Sequence, residues 1–171
     1  MGDMEQHEMH LLRLDAEADR FQGIQEAHEE YALKFGIKLI IAGGRDFNDY
    51  DMVRDAMKLF DLVQIGRLTI VSGGARGADL LGERWAKINS VEIKRYIPAW
   101  RVNGVYDNAA GYKRNALMAD NATHLLAFWD GVSKGTGHMI DLARSKNLGV
   151  EVIEYEWTPA PPFKYTRSNA R

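Results

Sequence analysis

Two hydrophobic rhythms alternate along the chain. In Ile37–Ala42, Leu68–Ser72 and Thr123–Trp129 nearly every residue is apolar or β-branched, which predicts short strands, with Ile37–Ala42 covered on both faces, and Val150–Tyr155 predicts a final strand. Val91–Ile97 alternates apolar with polar and stops at Pro98, again as a strand does. Between the strands the apolar positions fall three and four apart. Met52, Val53, Ala56, Leu59, Phe60 and Val63 do so behind two capping candidates, Asn48 and Asp49, and Ala78, Leu81, Trp85 and Ile88 do so within 76–89. Further helices are predicted over Tyr112–Asn121 and from about Gly137 to Asn147. Strands alternating with helices imply an α/β fold, a doubly wound parallel sheet of about five strands. Residues 98–111 have no clear period and are long for a loop, a length that often serves function.

The ends differ from this middle. Residues 4–34 contain no proline and one glycine, Gly23, and predict a long helix with a rough apolar stripe that includes Leu11, Leu14, Ala18 and Phe21. The expected organisation is an N-terminal helical extension over 1–35, the sheet domain over 36–156, and an extended basic tail over 157–171. The stripe suits either the helix's own domain or a partner subunit, and the latter makes a homo-oligomer the expectation.

Composition narrows the setting. A chain of 171 residues, 46% hydrophobic and 27% charged, suits one domain with a sizeable core. It has no cysteine, so disulfides and thiolate metal sites are excluded, and its five histidines form no convincing ligand set. No metal and no cofactor are expected. The acidic start and the lack of a spanning apolar run predict a cytoplasmic protein with no membrane association. Residues 1–35 carry nine acids against three bases, a balance of −6, which within an overall −2 leaves the rest at +4. A mildly positive body fits a small anionic ligand better than a general nucleic-acid surface.

Candidate chemistry sits where strands end. Ser72-Gly73-Gly74-Ala75-Arg76-Gly77-Ala78-Asp79 carries a strand through glycines into a helix, which gathers free N–H groups and a helix dipole's positive end. Such a turn serves packing or a phosphate, and it matches neither G-x-G-x-x-G nor the P-loop. Two companions strengthen it: Gly43-Gly44-Arg45-Asp46-Phe47 and Asp130-Gly131-Val132-Ser133-Lys134-Gly135-Thr136-Gly137. Each loop carries one cation, and all three end strands on one edge of a parallel sheet, where ligands bind.

These loops, with Pro98-Ala99-Trp100 and Ala110-Gly111-Tyr112-Lys113-Arg114-Asn115 plus Met118, resemble the SLOG superfamily, in particular its YspA-like branch. The match runs in order over roughly residues 37–155 and implies a Rossmann-like fold binding nucleotides or nucleotide-derived ligands. Two relatives are echoed. Arg114-Asn115-Ala116-Leu117-Met118 and Gly135-Thr136 resemble segments of LOG-type phosphoribohydrolases, but Gly137, His138 and Met139 stand where that family's catalytic glutamate is expected. Ser72–Asp79 and Arg114-Asn115 resemble the DNA-processing protein DprA, which implies single-stranded DNA as an alternative partner.

The expectation is a phosphate-bearing ligand held by the amides of 73–77 and 133–137 with Arg45, Arg76, Arg114 and Lys134. Gly43, Gly44, Ser72, Gly73, Gly74, Gly77, Asn115, Ser133, Gly135 and Thr136 complete the binding set, and Trp100 or Tyr112 covers the base. Asp79 orients Arg76 or accepts from a ribose hydroxyl. For phosphoribohydrolase-like N-glycosidic hydrolysis the catalytic candidates are Asp79, Arg114 and Asp130, with Glu83 and Asp141 as further acids.

Overall fold

The computed structural model describes Glu30, residues 34–60 and residues 67–156. The expected N-terminal helix and C-terminal tail lie almost wholly outside the described residues. The elements are β1 (Ile37–Gly43), α1 (Tyr50–Ala56), β2 (Leu68–Ser72), α2 (Ala78–Ile88), β3 (Glu92–Arg95), β4 (Arg101–Val102), β5 (Val105–Tyr106), α3 (Ala110–Asp120), β6 (His124–Trp129), α4 (Lys134–Ser145) and β7 (Gly149–Glu154).

Five strands form one parallel sheet in the order β3-β2-β1-β6-β7, the expected α/β architecture. Because β1 is flanked and covered on both faces, its apolar run divides by parity. Leu39 and Ile41 join Phe47, Val53 and Trp85 on one side, with Leu126 and Phe128 of β6. Ile40 and Ala42 join Met118, Met139, Ile140 and Ala143 on the other. Thus α1 and α2 cover one face, and α3 and α4 the other. Each fully buried aliphatic side chain contributes about 1.5–3 kcal/mol of apolar transfer, and these two layers hold the central strand.

Three differences from expectation matter. The helix expected over 76–89 starts only at Ala78, since Gly77 has φ +84° and ψ −133°, a conformation closed to side-chain-bearing residues. A Cβ there would also lie 2.0 Å from the Gly44 carbonyl oxygen, so the loops after β1 and β2 touch at this point. The helix expected through Val63 gives way at Met57–Phe60 to a 3₁₀ turn, and 61–66 are outside the described residues. The aperiodic stretch 98–111 contains an antiparallel hairpin, β4–β5, turned by Asn103 (φ 50°) and Gly104 (φ 81°). Among the described residues no helix is long and apolar enough to cross a membrane.

Candidate functional site

Chain order in the sheet reverses between β1 and β6, and the loops leaving these two strands diverge there. A cavity of about 560 Å³ opens between Gly43–Asp46, the segment Asp130–Thr136, and α3. Met118 and Met139, both buried, form its apolar floor. Tyr155, just past β7, closes one side. Its N–H donates to the Trp129 carbonyl at 3.1 Å, and its ring packs against Phe47 at 4.8 Å between centroids. Burial, then the charges of Asp130 and Asp46, push the Tyr155 hydroxyl's pKa up, so at neutral pH it is a donor.

The glycine loop after β2 already holds an anion, and the anion is its own. The N–H groups of Gly73 and Ala75 donate to Asp79 Oδ2 at 3.1 and 3.3 Å, and that of Gly74 donates to Ser72 Oγ at 3.0 Å. The Ser72 hydroxyl in turn donates to Glu83 Oε1 at 2.9 Å, and Arg95 grips both Glu83 oxygens at 2.8 and 2.7 Å. Arg95 holds the Glu83 carboxyl below the usual range. This corrects the expectation that the 73–77 amides are open to phosphate: the start of α2 folds a carboxylate back onto two of the donors, and the Ser72 hydroxyl takes a third.

Asp79 also faces a different arginine from the one expected. Arg76 is exposed, because Gly77 keeps it outside the helix, while Arg114 Nη1 of α3 lies 3.6 Å from Asp79 Oδ2. The guanidinium reaches this point across the bare α-carbon of Gly73, where a Cβ would lie 1.4 Å from Nη1. The pair is poorly matched. Burial pushes Asp79 up to about 6 despite Arg114, and burial lowers the Arg114 pKa despite Asp79, with Arg45 lowering it further. At 3.6 Å no hydrogen bond forms, and desolvation outweighs attraction for both partners. Neither Nε nor Nη1 of Arg114 makes a hydrogen bond within the described residues, although both atoms are buried.

Across the cavity, Asp130 Oδ1 accepts from the N–H groups of Val132 (3.1 Å) and Ser133 (2.8 Å), which shapes the approach to α4. Ser133 occupies the N-cap position yet caps no helix amide. Its hydroxyl pairs instead with that of buried Thr136 at 3.1 Å. The first turn of this 12-residue helix therefore meets the cavity without a side-chain cap. Asn115 braces the turn, donating to the Gly135 carbonyl at 3.3 Å.

Of the expected site residues, Gly43, Gly44, Arg45, Asp79, Trp100, Arg114, Asn115, Asp130, Ser133, Gly135 and Thr136 line this cavity. Gly73, Gly74 and Arg76 line a neighbouring chamber. Ser72, Gly77 and Lys134 line neither: Ser72 is buried beneath the loop, Gly77 lies at the loop contact, and Lys134 is exposed at the start of α4. Of the further acids, Glu83 is sealed under β2 and Asp141 is exposed along α4. Lys113, next to Arg114 in sequence, turns away to Asp107 at 2.8 Å. Tyr155 and Asp46 line the cavity unanticipated as ligand-facing groups. The one signal for Tyr155 was its place after a strand, on the edge the other loops share. Among the described residues no three His, Asp or Glu side chains are placed to hold a metal.

Part of the sequence that builds this cavity is similar to a known family. Residues 37–102 match the YspA, cpYpsA-related SLOG family, YAcAr. The matched segment runs from β1 to β4, so it holds Arg45, the 72–79 loop and Trp100, whereas Arg114, the 130–136 loop and Tyr155 lie beyond it. Two solved structures are similar. DNA processing protein A (DprA) from Streptococcus pneumoniae is 17% identical with a TM-score of 0.56, over 78% of this chain and 54% of that one. The Helicobacter pylori DprA, from work on its single-stranded DNA binding mode, is 17% identical with a TM-score of 0.49, over 70% of this chain and 66% of that one. The first likeness is one of fold, and this chain spans about half of that protein's length. None of the curated proteins matches the chain.

Proposed function

We propose that the cleft binds a phosphate-bearing nucleotide or nucleotide-derived ligand at the C-terminal edge of the sheet. One observation carries this: Arg114, with a side chain only 15% exposed, lines the cavity, and its buried Nε and Nη1 have no hydrogen-bond acceptor among the described residues. Leaving a buried donor unsatisfied costs about 1–3 kcal/mol, more when it is charged. A phosphoryl group between Arg114, Arg45 and the uncapped first turn of α4 removes that cost with charge-assisted hydrogen bonds. In this reading the ring of Trp100 or Tyr112 covers a base, and Asp130 with Tyr155 meets ribose hydroxyls.

Binding is the whole of the reading. Were an N-glycosidic bond cleaved as in LOG-type enzymes, the proton would fall to Asp79 or Asp130, the candidate acids that line the cavity, since Glu83 and Asp141 do not reach it. A second reading, DprA-like binding of single-stranded DNA, is favoured by Arg45, Arg76 and Arg114 beside Trp100 and Tyr106, since such binders pair cations with stacking rings. A thermal-shift panel of nucleotides followed by calorimetry tests the first reading. Arg114→Ala is expected to weaken the best nucleotide by about 10- to 150-fold, equivalent to 1.5–3 kcal/mol, with Arg114→Lys recovering part of the loss. Unchanged affinity in a folded Arg114→Ala variant rejects this site. A steep loss of oligonucleotide affinity with salt, without nucleotide binding, favours the second reading.

A further inference from the structure

The cavity at the reversal point continues into a second chamber of about 600 Å³, and the two share Arg45, Ala75, Trp100 and Arg114. Beyond these shared residues their walls differ. Asp46, Asp79 and Asp130 line the first chamber, whereas no carboxylate lines the second. The second is walled by Arg76, the Gly73–Gly74 backbone, Ile97, Pro98 and Tyr106. Tyr106 of β5 stands nearly parallel to Trp100, at 9° and 6.0 Å between centroids. Trp100 is also backed by Gly111 at the start of α3, where a Cβ would lie 3.5 Å from its ring. Trp100 is thus the partition, and Tyr106 (54% exposed) and Ile97 (67% exposed) are the open apolar surfaces on its far side.

We infer that the second chamber is a subsite for a second planar ring, so that the ligand is two-ended: two flat heterocycles joined through a phosphate linker centred on Arg45 and Arg114. The inference rests on the phosphate-binding reading of the first chamber. Either chamber alone falls within the roughly 300–1,000 Å³ of a small-molecule site, so a mononucleotide accounts for one of them. The two arginines stand at the waist where the chambers join, as an anionic linker between two rings requires. A nucleic-acid strand asks for a track of cations instead. Here Lys113 is turned to Asp107 and Lys134 lines neither chamber, so the only basic side chains that line the chambers among the described residues are Arg45 and Arg114, shared by both, and Arg76 in the second. The exposed ring of Tyr106 offers the second heterocycle a stacking face at little conformational cost.

The test uses the full chain and three probes by calorimetry: adenosine monophosphate, a dinucleoside diphosphate carrying two adenosines, and a twelve-residue oligothymidylate. The dinucleoside diphosphate is expected to bind about 5- to 150-fold more tightly than the monophosphate, the gain of one stacked base. Tyr106→Ala is expected to abolish that gain while leaving the monophosphate unaffected, and Tyr106→Phe, which keeps the ring, to retain it. Ile97→Asp, at an exposed position lining the same chamber, is a second route to the same loss and guards against misfolding of the hairpin variant. Equal affinity for the one- and two-ended probes, equal weakening of both by Tyr106→Ala, or tighter binding of the oligonucleotide overturns the second subsite while the first stands. Binding of none of the probes removes both.

Discussion

Replacing Asp79 by asparagine separates the role of its charge from that of its shape. The carboxylate is 6% exposed, accepts two loop amides and faces Arg114 without touching it. Burial is the largest influence on it and pushes its pKa up to about 6 from an ordinary 3.8. The folded chain therefore takes up this proton before the unfolded chain does as pH falls. Stability from this group is lowest above pH 6 and rises on acidification towards pH 4, the reverse of a salt-bridged aspartate. A gap of just over two pH units, at 1.36 kcal/mol each, is a cost of about 3 kcal/mol at pH 8, and it already contains the attraction to Arg114. Asparagine keeps a carbonyl oxygen for the Gly73 and Ala75 amides and drops the charge. We expect Asp79→Asn to be more stable than the parent by up to about 3 kcal/mol at pH 8, with the difference shrinking through pH 6 and vanishing near pH 4. Urea unfolding of both proteins across that range measures it, and the comparison cancels the carboxyls shared by both proteins, Glu83 and Asp107 among them. A variant less stable than its parent at pH 8, or a difference that does not change with pH, refutes the argument that burial dominates here.

Two more expectations follow from the loop contacts. In Gly73→Ala the new Cβ meets the far end of a flexible side chain, so Arg114 swings out and the fold survives. Nucleotide affinity should fall about as far as in Arg114→Ala, and the double variant should be no worse than either single one, which calorimetry on all three reads out. In Gly77→Ala a Cβ meets the Gly44 backbone at a residue with φ +84°, so melting should report a loss of about 2 kcal/mol or more. A Gly77→Ala protein as stable as the parent means the two loops do not rest on each other.

The layering of this protein was legible in its sequence. Ile37–Ala42 and Leu125–Phe128 are apolar at every position but Lys38, and only a strand covered on both faces needs that, so a parallel sheet with helices on each side followed. The three strand-end loops were also in view, because glycine runs mark them and strands in such sheets end on a common edge. The Asn103-Gly104 pair signalled a hairpin within 98–111 that periodicity alone passed over. What the sequence could not decide was which charges meet. Lys113, Arg114 and Lys134 look alike as cations near one edge, yet one turns to Asp107, one is buried over Gly73, and one is exposed and lines neither chamber. Nor does sequence say that the loop's amides go to its own Asp79, or that Tyr155 closes the cavity from the far end of the chain. Periodicity reports which side of an element is buried and is a local property. The partner of a charged group depends on strand order and on side-chain reach across elements distant in sequence, and only packing brings Gly73, Asp79 and Arg114 within one contact distance.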